Sequence, residues 1–418
     1  MQKRLDIAIV GAGVAGLAAG IALARAGHRV VAYERVPQSR PVGSGLMLQP
    51  TGLAALQRLG LRATIEALGH RIGRLKGATR TGRTIFDVAY GDLDPGLYAV
   101  GVHRALLHRT LWDAFALSGA SLETSRPIVT LEPRADGRLS PATSDGRVGA
   151  PADLVIDASG ARSELRRQVT DRTARAFTYG AVWSTVPDIG LATACLAQRY
   201  DGARVMAGYL PVGRLSESGP ALAALFWSLK PDGHAQWQER FDAWRDELAA
   251  LWPEFVPALA TAGDPSHWTL ASYAHFTAPR LSHRNLVLIG DSAHATSPQL
   301  GQGANNGMID AVVLCDALAR ERDLDAALAT YARHRRRHMR FYQLASALMT
   351  PLFQSDSRVL PAFRDAAFPT LRAVPYLRRE MVRTLAGLKT GVLTSARPED
   401  LVHVEGAPAL PEPLIEAA

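Results

Sequence analysis

Two hydrophobic periods alternate along this chain. Leu5 to Val10 is a short apolar run, the pattern of a strand buried in a parallel sheet. An Ala- and Leu-rich helical stretch follows, Val14 to Ala26, and stops at Gly27. Arg29 to Tyr33 is the next strand, closed by Glu34. The same strand-then-helix pattern returns late in the chain. Leu286 to Ile289 reads as a buried strand ended by Gly290 and Asp291, and Ala304 to Ala319 reads as a helix. Ala152 to Ile156 is a further strand between them. From Thr170 to Pro279 the period shortens to two. Phe177 to Val186, Cys195 to Tyr200, Arg204 to Leu210 and Ala221 to Leu229 read as antiparallel strands, with turns at Asp201-Gly202 and at Pro211 to Gly213. A polar helical segment, Asp232 to Leu251, follows. The pattern predicts an α/β protein: a Rossmann-like dinucleotide-binding domain, an interleaved antiparallel-sheet domain and a C-terminal helical segment. The expected boundaries are 1–170 with 280–340, then 171–279, then 341–418.

The turns between these elements carry the candidate chemistry. Gly11 permits a tight turn, Gly13 lets the backbone approach a pyrophosphate, and Gly16 lets helix and strand pack closely, with Ala15 between them. The N–H groups of the helix that opens there favour a phosphate charge. Glu34 lies where a carboxylate accepts from a ribose diol, and Arg35 is grouped with it. This fingerprint by itself does not separate NAD from FAD. A second glycine-rich turn does more. Asp291 can accept from sugar hydroxyls, and Pro298, Gly301 and Gly303 form a rigid corner beside permissive glycines. The N–H groups of residues 301–305 then open a helix toward whatever lies in the loop, an arrangement suited to negative charge. Two clamps so far apart in sequence point to FAD held inside one protein rather than to a nicotinamide that comes and goes.

Composition narrows the setting. The 418 residues are 47% hydrophobic and 21% charged, enough for a composite globular fold. Cys195 and Cys315 are the two cysteines, which argues against a disulfide framework and for a reducing, cytoplasmic setting. Lys3 and Arg4 before an apolar run imitate a leader, but the glycines interrupt that run and nothing there should be cleaved. No stretch reaches the roughly 18 to 20 apolar residues of a membrane span, so no integral membrane association is expected. Phe341 to Phe353 is too short to cross a bilayer and is expected to pack on the core, with a substrate-entrance or membrane-surface role as the alternative. The net charge of +8 is carried almost entirely by Arg, and a nucleic-acid partner is not expected. His334 and His338 stand in an Arg-rich run, Arg333 to Arg340, whose charges cover almost every helical face and predict a solvated helix, with binding to nucleic acid or anionic lipid as the alternative. No metal-ligand spacing and no Ser/His/Asp or Cys/His arrangement stands out. His294 is expected to hold its loop by a hydrogen bond rather than to act as a base. A chain without its own nucleophile suits a cofactor that carries the hard step.

Taken together, the motifs resemble the single-component, class A flavoprotein monooxygenases of the para-hydroxybenzoate hydroxylase type. The three family signatures fall at Gly11 to Gly16, Asp157 to Ser163 and Gly290 to Gly303. Val102, His103 and Arg104 with Leu107 and Leu111 also match, as does Arg40 to Gly45 with Leu48, Pro50, Leu59 and Gly60. The resemblance spans roughly residues 5–340. It implies that Glu34 binds the adenosine ribose, Arg104 the phosphate region and Asp291 the ribityl chain. Arg40, Gly45, Ala304 and Asn305 would also approach the cofactor. Pro298, Gly301, Gln302 and Gly303 would edge the isoalloxazine ring and stabilise its charge during catalysis. One departure stands out: Ser159 replaces the usual Asp of the middle motif, and a carboxylate appears instead at Asp157, ahead of Gly160. The implied reaction uses NAD(P)H and molecular oxygen, passes through a flavin 4a-hydroperoxide, and hydroxylates an aromatic or polycyclic small molecule. An FAD-dependent reductase, dehydrogenase or halogenase on the same fold is the alternative. Met47, Gln49, Trp183, Met206, Tyr209 and Trp227 are the candidate substrate contacts, in a monomer or homodimer.

Overall fold

A computed structural model describes residues 4–38 and 44–411. Its first layer is a six-stranded sheet in the order Ser282–His283, Leu286–Leu288, Leu154–Asp157, Asp6–Val10, Arg29–Tyr33, Ser121–Glu123. Asp6–Val10 pairs in parallel with both neighbours, and Val10 stands opposite Asp157 on one side and Tyr33 on the other. The loops after these strands therefore emerge at one edge, the place where open α/β sheets bind their ligands. Helix Val14–Arg25 is buried at every position from Gly16 to Leu23, which is why it is built from Ala, Gly, Leu and Ile. The last helix of this layer, Gly303–Arg320, is buried from Asn305 to Leu318.

The second layer is a seven-stranded sheet in the order Thr269–Ala271, Gly180–Pro187, Leu222–Leu229, Val205–Gly213, Cys195–Asp201, Arg74–Thr79, Thr84–Ala89. Its two faces pack differently. One face, with Val182, Ala207, Tyr209, Leu225 and Trp227, meets Trp237, Phe241 and Trp244 of the helical segment. The other, with Met206, Leu210, Ala224 and Phe226, meets Met47 and the C-terminal residues Phe353, Val382 and Leu388. The C-terminal region is the long helix Leu324–Phe353 followed by helices Val359–Ala373 and Pro375–Leu385.

Four expectations need correction. The sheet recruits Arg74–Thr79, which pairs in parallel with Cys195–Asp201, and Thr84–Ala89, so it is not confined to 171–279. The long helix runs through the boundary placed at 340. Pro211 to Gly213 is no turn: the strand continues through it, with an irregular register at Pro211/Gly213, as a proline at a bulge permits. The Arg-rich run is not solvated on every face either, because Arg335 and His338 are fully buried.

Candidate active site

Glycine geometry builds the first clamp. Gly11 has φ +103°, and a Cβ there would stand 2.6 Å from the Ala158 carbonyl oxygen. A Cβ on Gly16 would stand 1.9 Å from the Gly11 oxygen. These two glycines exist because backbone meets backbone. Gly13 differs: a Cβ there meets nothing within 4 Å, and the residue is exposed at the start of the helix. Glu34 braces this loop. Its carboxylate accepts from the Ala12 N–H at 2.9 Å and the Val36 N–H at 3.2 Å, while remaining half-exposed. Arg35 is exposed beside it, and Arg40 lies outside the described residues.

The second clamp lies against the first. A Cβ on Gly290 would be 2.9 Å from the Ala15 Cβ, and one on Gly307 would be 3.0 Å from it. Asp291 is ringed by protein, which pushes its carboxyl pKa up, with His294, Arg104 and Arg166 pulling the other way. Its own surface is nevertheless open. A carboxylate both ringed and open lines a deep cleft. The Asp291 Oδ1 lies 3.9 Å from where a Gly303 Cβ would stand, so Asp291 and the first turn of the 18-residue helix Gly303–Arg320 border the same space. Pro298–Leu300 forms one tight turn and Gly301 takes the left-handed conformation at φ +61°. Ala304 is half-buried in that first turn.

Several predicted cofactor residues have structural work. Asp157 is buried; Ser159 Oγ donates to it at 2.6 Å and Ser163 Oγ donates to its other oxygen. Burial raises its pKa against these hydrogen bonds. Its carboxylate therefore braces the middle turn. Ser159 and Gly160 remain half-exposed at the rim. Gly45 sits in a strand under the sheet, where a Cβ would be 2.6 Å from Val212 and 2.7 Å from Ala224. Asn305 is buried. It accepts from the Gln49 N–H at 3.0 Å and donates to the carbonyls of Met47 at 3.2 Å and Gly301 at 2.7 Å, clasping strand Gly45–Leu48 to the loop. Arg104 opens helix Arg104–Leu117 and is exposed. His103 caps that helix by accepting the Ala105 N–H on Nδ1, so its proton sits on Nε2 and is donated to Thr185 Oγ1 at 3.2 Å.

Beneath the second clamp lies a buried charge network. Asp310 accepts from the Gly290 N–H at 2.8 Å, His294 Nε2 at 2.5 Å and Arg335 Nε at 2.6 Å. Arg335 also donates to His338 Nδ1 at 3.0 Å and Asn306 Oδ1 at 3.1 Å. His338 is thereby held neutral, and its Nε2 proton goes to the Gly387 carbonyl at 2.7 Å. The chain of contacts ties the Gly290 turn to the C-terminal region.

On the substrate side, alternation along the strands separates the candidates. Met206 and Met47 belong to the cluster facing the C-terminal helices, and half-buried Trp183 packs against it. Gln49 is buried beside them; its Oε1 accepts from Tyr90 Oη at 2.5 Å, and its Nε2 finds no protein partner. Tyr209 and Trp227 do not join them. Both lie on the opposite face, in the core with Trp244, so they are packing residues. Tyr273 was missed by sequence reasoning. Its hydroxyl accepts from Trp183 Nε1 at 3.0 Å, it is half-exposed, and Arg104 is near enough to act on its ionisation.

Residues 4–343 match a family described as an FAD binding domain. The chain is 33% identical over 328 residues to 3-amino-4-hydroxybenzoate 2-monooxygenase of Streptomyces cremeus, covering 76% of this chain and 79% of that one. It is 30% identical over 339 residues to an FAD-dependent urate hydroxylase of Klebsiella pneumoniae, covering 78% and 85%. This chain belongs to the class A flavoprotein monooxygenases. The fold of the monooxygenase matches that of Klebsiella pneumoniae HpxO complexed with FAD and uric acid, with TM-score 0.77, 24% identity, and coverage of 93% of this chain and 98% of that one.

The residues of the monooxygenase fit a bound FAD. The open space at Gly13 leaves a backbone cradle for a pyrophosphate at a helix N-terminus. Asp291 offers a carboxylate to the cleft. Gln302 is buried, donates to the Leu385 carbonyl at 2.9 Å, and keeps Oε1 without a protein partner.

Proposed function

We propose that this monooxygenase transfers one atom of molecular oxygen to an aromatic or polycyclic small molecule seated against the Met206–Phe226 face, with NAD(P)H as electron donor. The supporting juxtaposition is at Met47. This residue belongs to the apolar cluster of that face, and its Cε lies 4.0 Å from where a Cβ on Gly301 would stand, so the apolar wall and the second clamp adjoin. Bound FAD supplies hydride acceptance and dioxygen activation. The chain's own residues supply the setting. Glu34 shapes the loop for the adenosine half and Asp291 faces the ribityl half. The N–H groups at Gly303 and Ala304 lie at a helix N-terminus and stabilise negative charge on the ring edge. Met47, Met206 and Phe226 keep water from the reacting atoms. Burial raises the Tyr273 pKa above its ordinary value of 10.0, despite Trp183 and Arg104, so at neutral pH it is a protonated phenol that donates a hydrogen bond to the substrate. Gln49 Nε2 is a second donor awaiting a partner.

The test is a single-turnover measurement with isotopically labelled dioxygen and candidate aromatic substrates, after reduction of the flavin by NADH or NADPH under nitrogen. One labelled atom in the product is the expected result. A reduced or dehydrogenated product without label contradicts the oxygen-transfer reading.

A further inference from the structure

The C-terminal helices carry more exposed apolar surface than the fold accounts for. Among the described residues, nine of the fifteen exposed large hydrophobic side chains lie between Leu344 and Leu393. Such a concentration marks an interaction surface rather than scattered surface residues. Helix Val359–Ala373 packs Phe368 on the core and buries Arg364, its guanidinium 4.8 Å from the Tyr200 ring centre, yet turns Val359, 75% exposed, and Phe363, 60% exposed, outward. The long helix Leu324–Phe353 shows an outward stripe at helical spacing, in which Arg337 and Arg340 lead into Leu344 and Leu348.

Charge is concentrated in the same region. Residues 333–383 hold eleven Arg against three acidic residues, a net +8 that equals the net charge of the whole chain. The remainder of the protein is thus neutral in sum.

We propose that the outward faces of helices Leu324–Phe353 and Val359–Ala373 rest on an anionic lipid surface, the apolar side chains entering the headgroup region and the arginines meeting lipid phosphates. Charge complementarity selects this occupant. An interfacial helix binds through buried apolar area together with attraction to anionic lipid, and these faces offer both. A second copy of the chain would bring the same positive charge to the contact, since Arg336, Arg337 and Arg340 are exposed on the long helix. A nucleic acid would use the arginines and leave Val359, Phe363, Leu344 and Leu348 in water. Docking here is peripheral: among the described residues no helix is long and apolar enough to cross a membrane. The inference is independent of which reaction the flavin performs.

The experiment is co-sedimentation of the flavin-loaded full chain with vesicles of phosphatidylcholine, with and without phosphatidylglycerol. The expected result is binding to the anionic vesicles that weakens with salt. R336Q/R337Q/R340Q should lower the partition coefficient by at least about tenfold. L344S/L348S and V359S/F363S should each weaken it as well, with flavin content and thermal midpoint unchanged, since all seven side chains are exposed. Failure to bind anionic vesicles overturns the proposal. So does binding that the apolar variants leave intact while duplex DNA competes fully, or self-association that the apolar variants abolish without any vesicle binding.

Discussion

Removing the charge from Asp310 tests the buried network most sharply. Asp310→Asn keeps the side-chain shape but replaces one acceptor oxygen with a donor. If the amide nitrogen faces Arg335, two N–H groups oppose each other. If it faces the other way, it opposes both the Gly290 N–H and His294 Nε2. In either orientation Arg335, which is 0% exposed, is left with neutral partners only, His338, Asn306 and at most an amide oxygen. An uncompensated buried charge of this kind costs about 3–5 kcal/mol. Unfolding entropy scales as about 2.1 cal/mol/K per residue, so for a chain of 418 residues each kcal/mol moves the midpoint by about 1 °C. Thermal unfolding followed by circular dichroism should therefore show a fall of about 3–5 °C. Flavin affinity should drop with it, because the Gly290 turn is left with a neutral amide oxygen or with no acceptor. Arg337→Gln, exposed on the same helix, should stay within about 0.5 kcal/mol of the parent. Arg335→Met added to Asp310→Asn should recover part of the loss, since it removes the stranded charge. A midpoint for Asp310→Asn equal to that of the parent would refute the reasoning.

Three further predictions follow from the same geometry. Ser159→Asp restores the family wording but places a second carboxylate against Asp157, which Ser159 Oγ now contacts at 2.6 Å; a stability loss of about 1–3 kcal/mol in urea unfolding is expected, and an unchanged midpoint would contradict the brace. Trp183→Phe removes the donor to Tyr273 and should raise KM by about two- to tenfold with less effect on kcat, whereas Trp227→Phe, on the opposite face, should alter the thermal midpoint and leave KM alone; steady-state kinetics of the two variants decide. Burial, reinforced by Arg335, lowers the His338 pKa from 6.5 to about 3. The unfolded chain therefore takes up a proton between those values that the folded chain refuses. Stability should fall as pH drops from 6.5 toward 3, and His338→Gln should flatten that slope in a pH series of urea midpoints.

Much of the site was legible because its chemistry depends on backbone geometry that few residues permit. Gly11 and Gly16 are required where backbone meets backbone, and Gly13 where it meets open space; strand, turn and helix were readable from apolar period alone. The substrate face was half legible. Period two puts Met206 and Tyr209 on opposite faces of one strand, so the two could never have shared a pocket, and the parity was there to be counted. Tyr273 carried no local signal, since its role depends on Trp183, far away in sequence. The Arg-rich run was misread for a related reason. Tyr331, Arg335, His338 and Tyr342 recur at helical spacing and are all buried, yet charge made the inward face look solvated. Its partner Asp310 lies 25 residues upstream. Asp157 shows the reverse: a carboxylate beside a cofactor motif reads as a ligand, and only the fold shows Ser159 and Ser163 donating to it.

The central claim is that the open cradle at Gly13 and the turn beginning at Gly290 grip one FAD. Gly13→Val tests it directly, because the added side chain meets no protein atom within 4 Å at Cβ and should fill only the space of the pyrophosphate. The ratio of flavin to protein absorbance in the purified variant is the measurement. The account predicts a folded, colourless protein with parent-like circular dichroism that does not take up added FAD. A variant that retains its flavin at the parent ratio would contradict it.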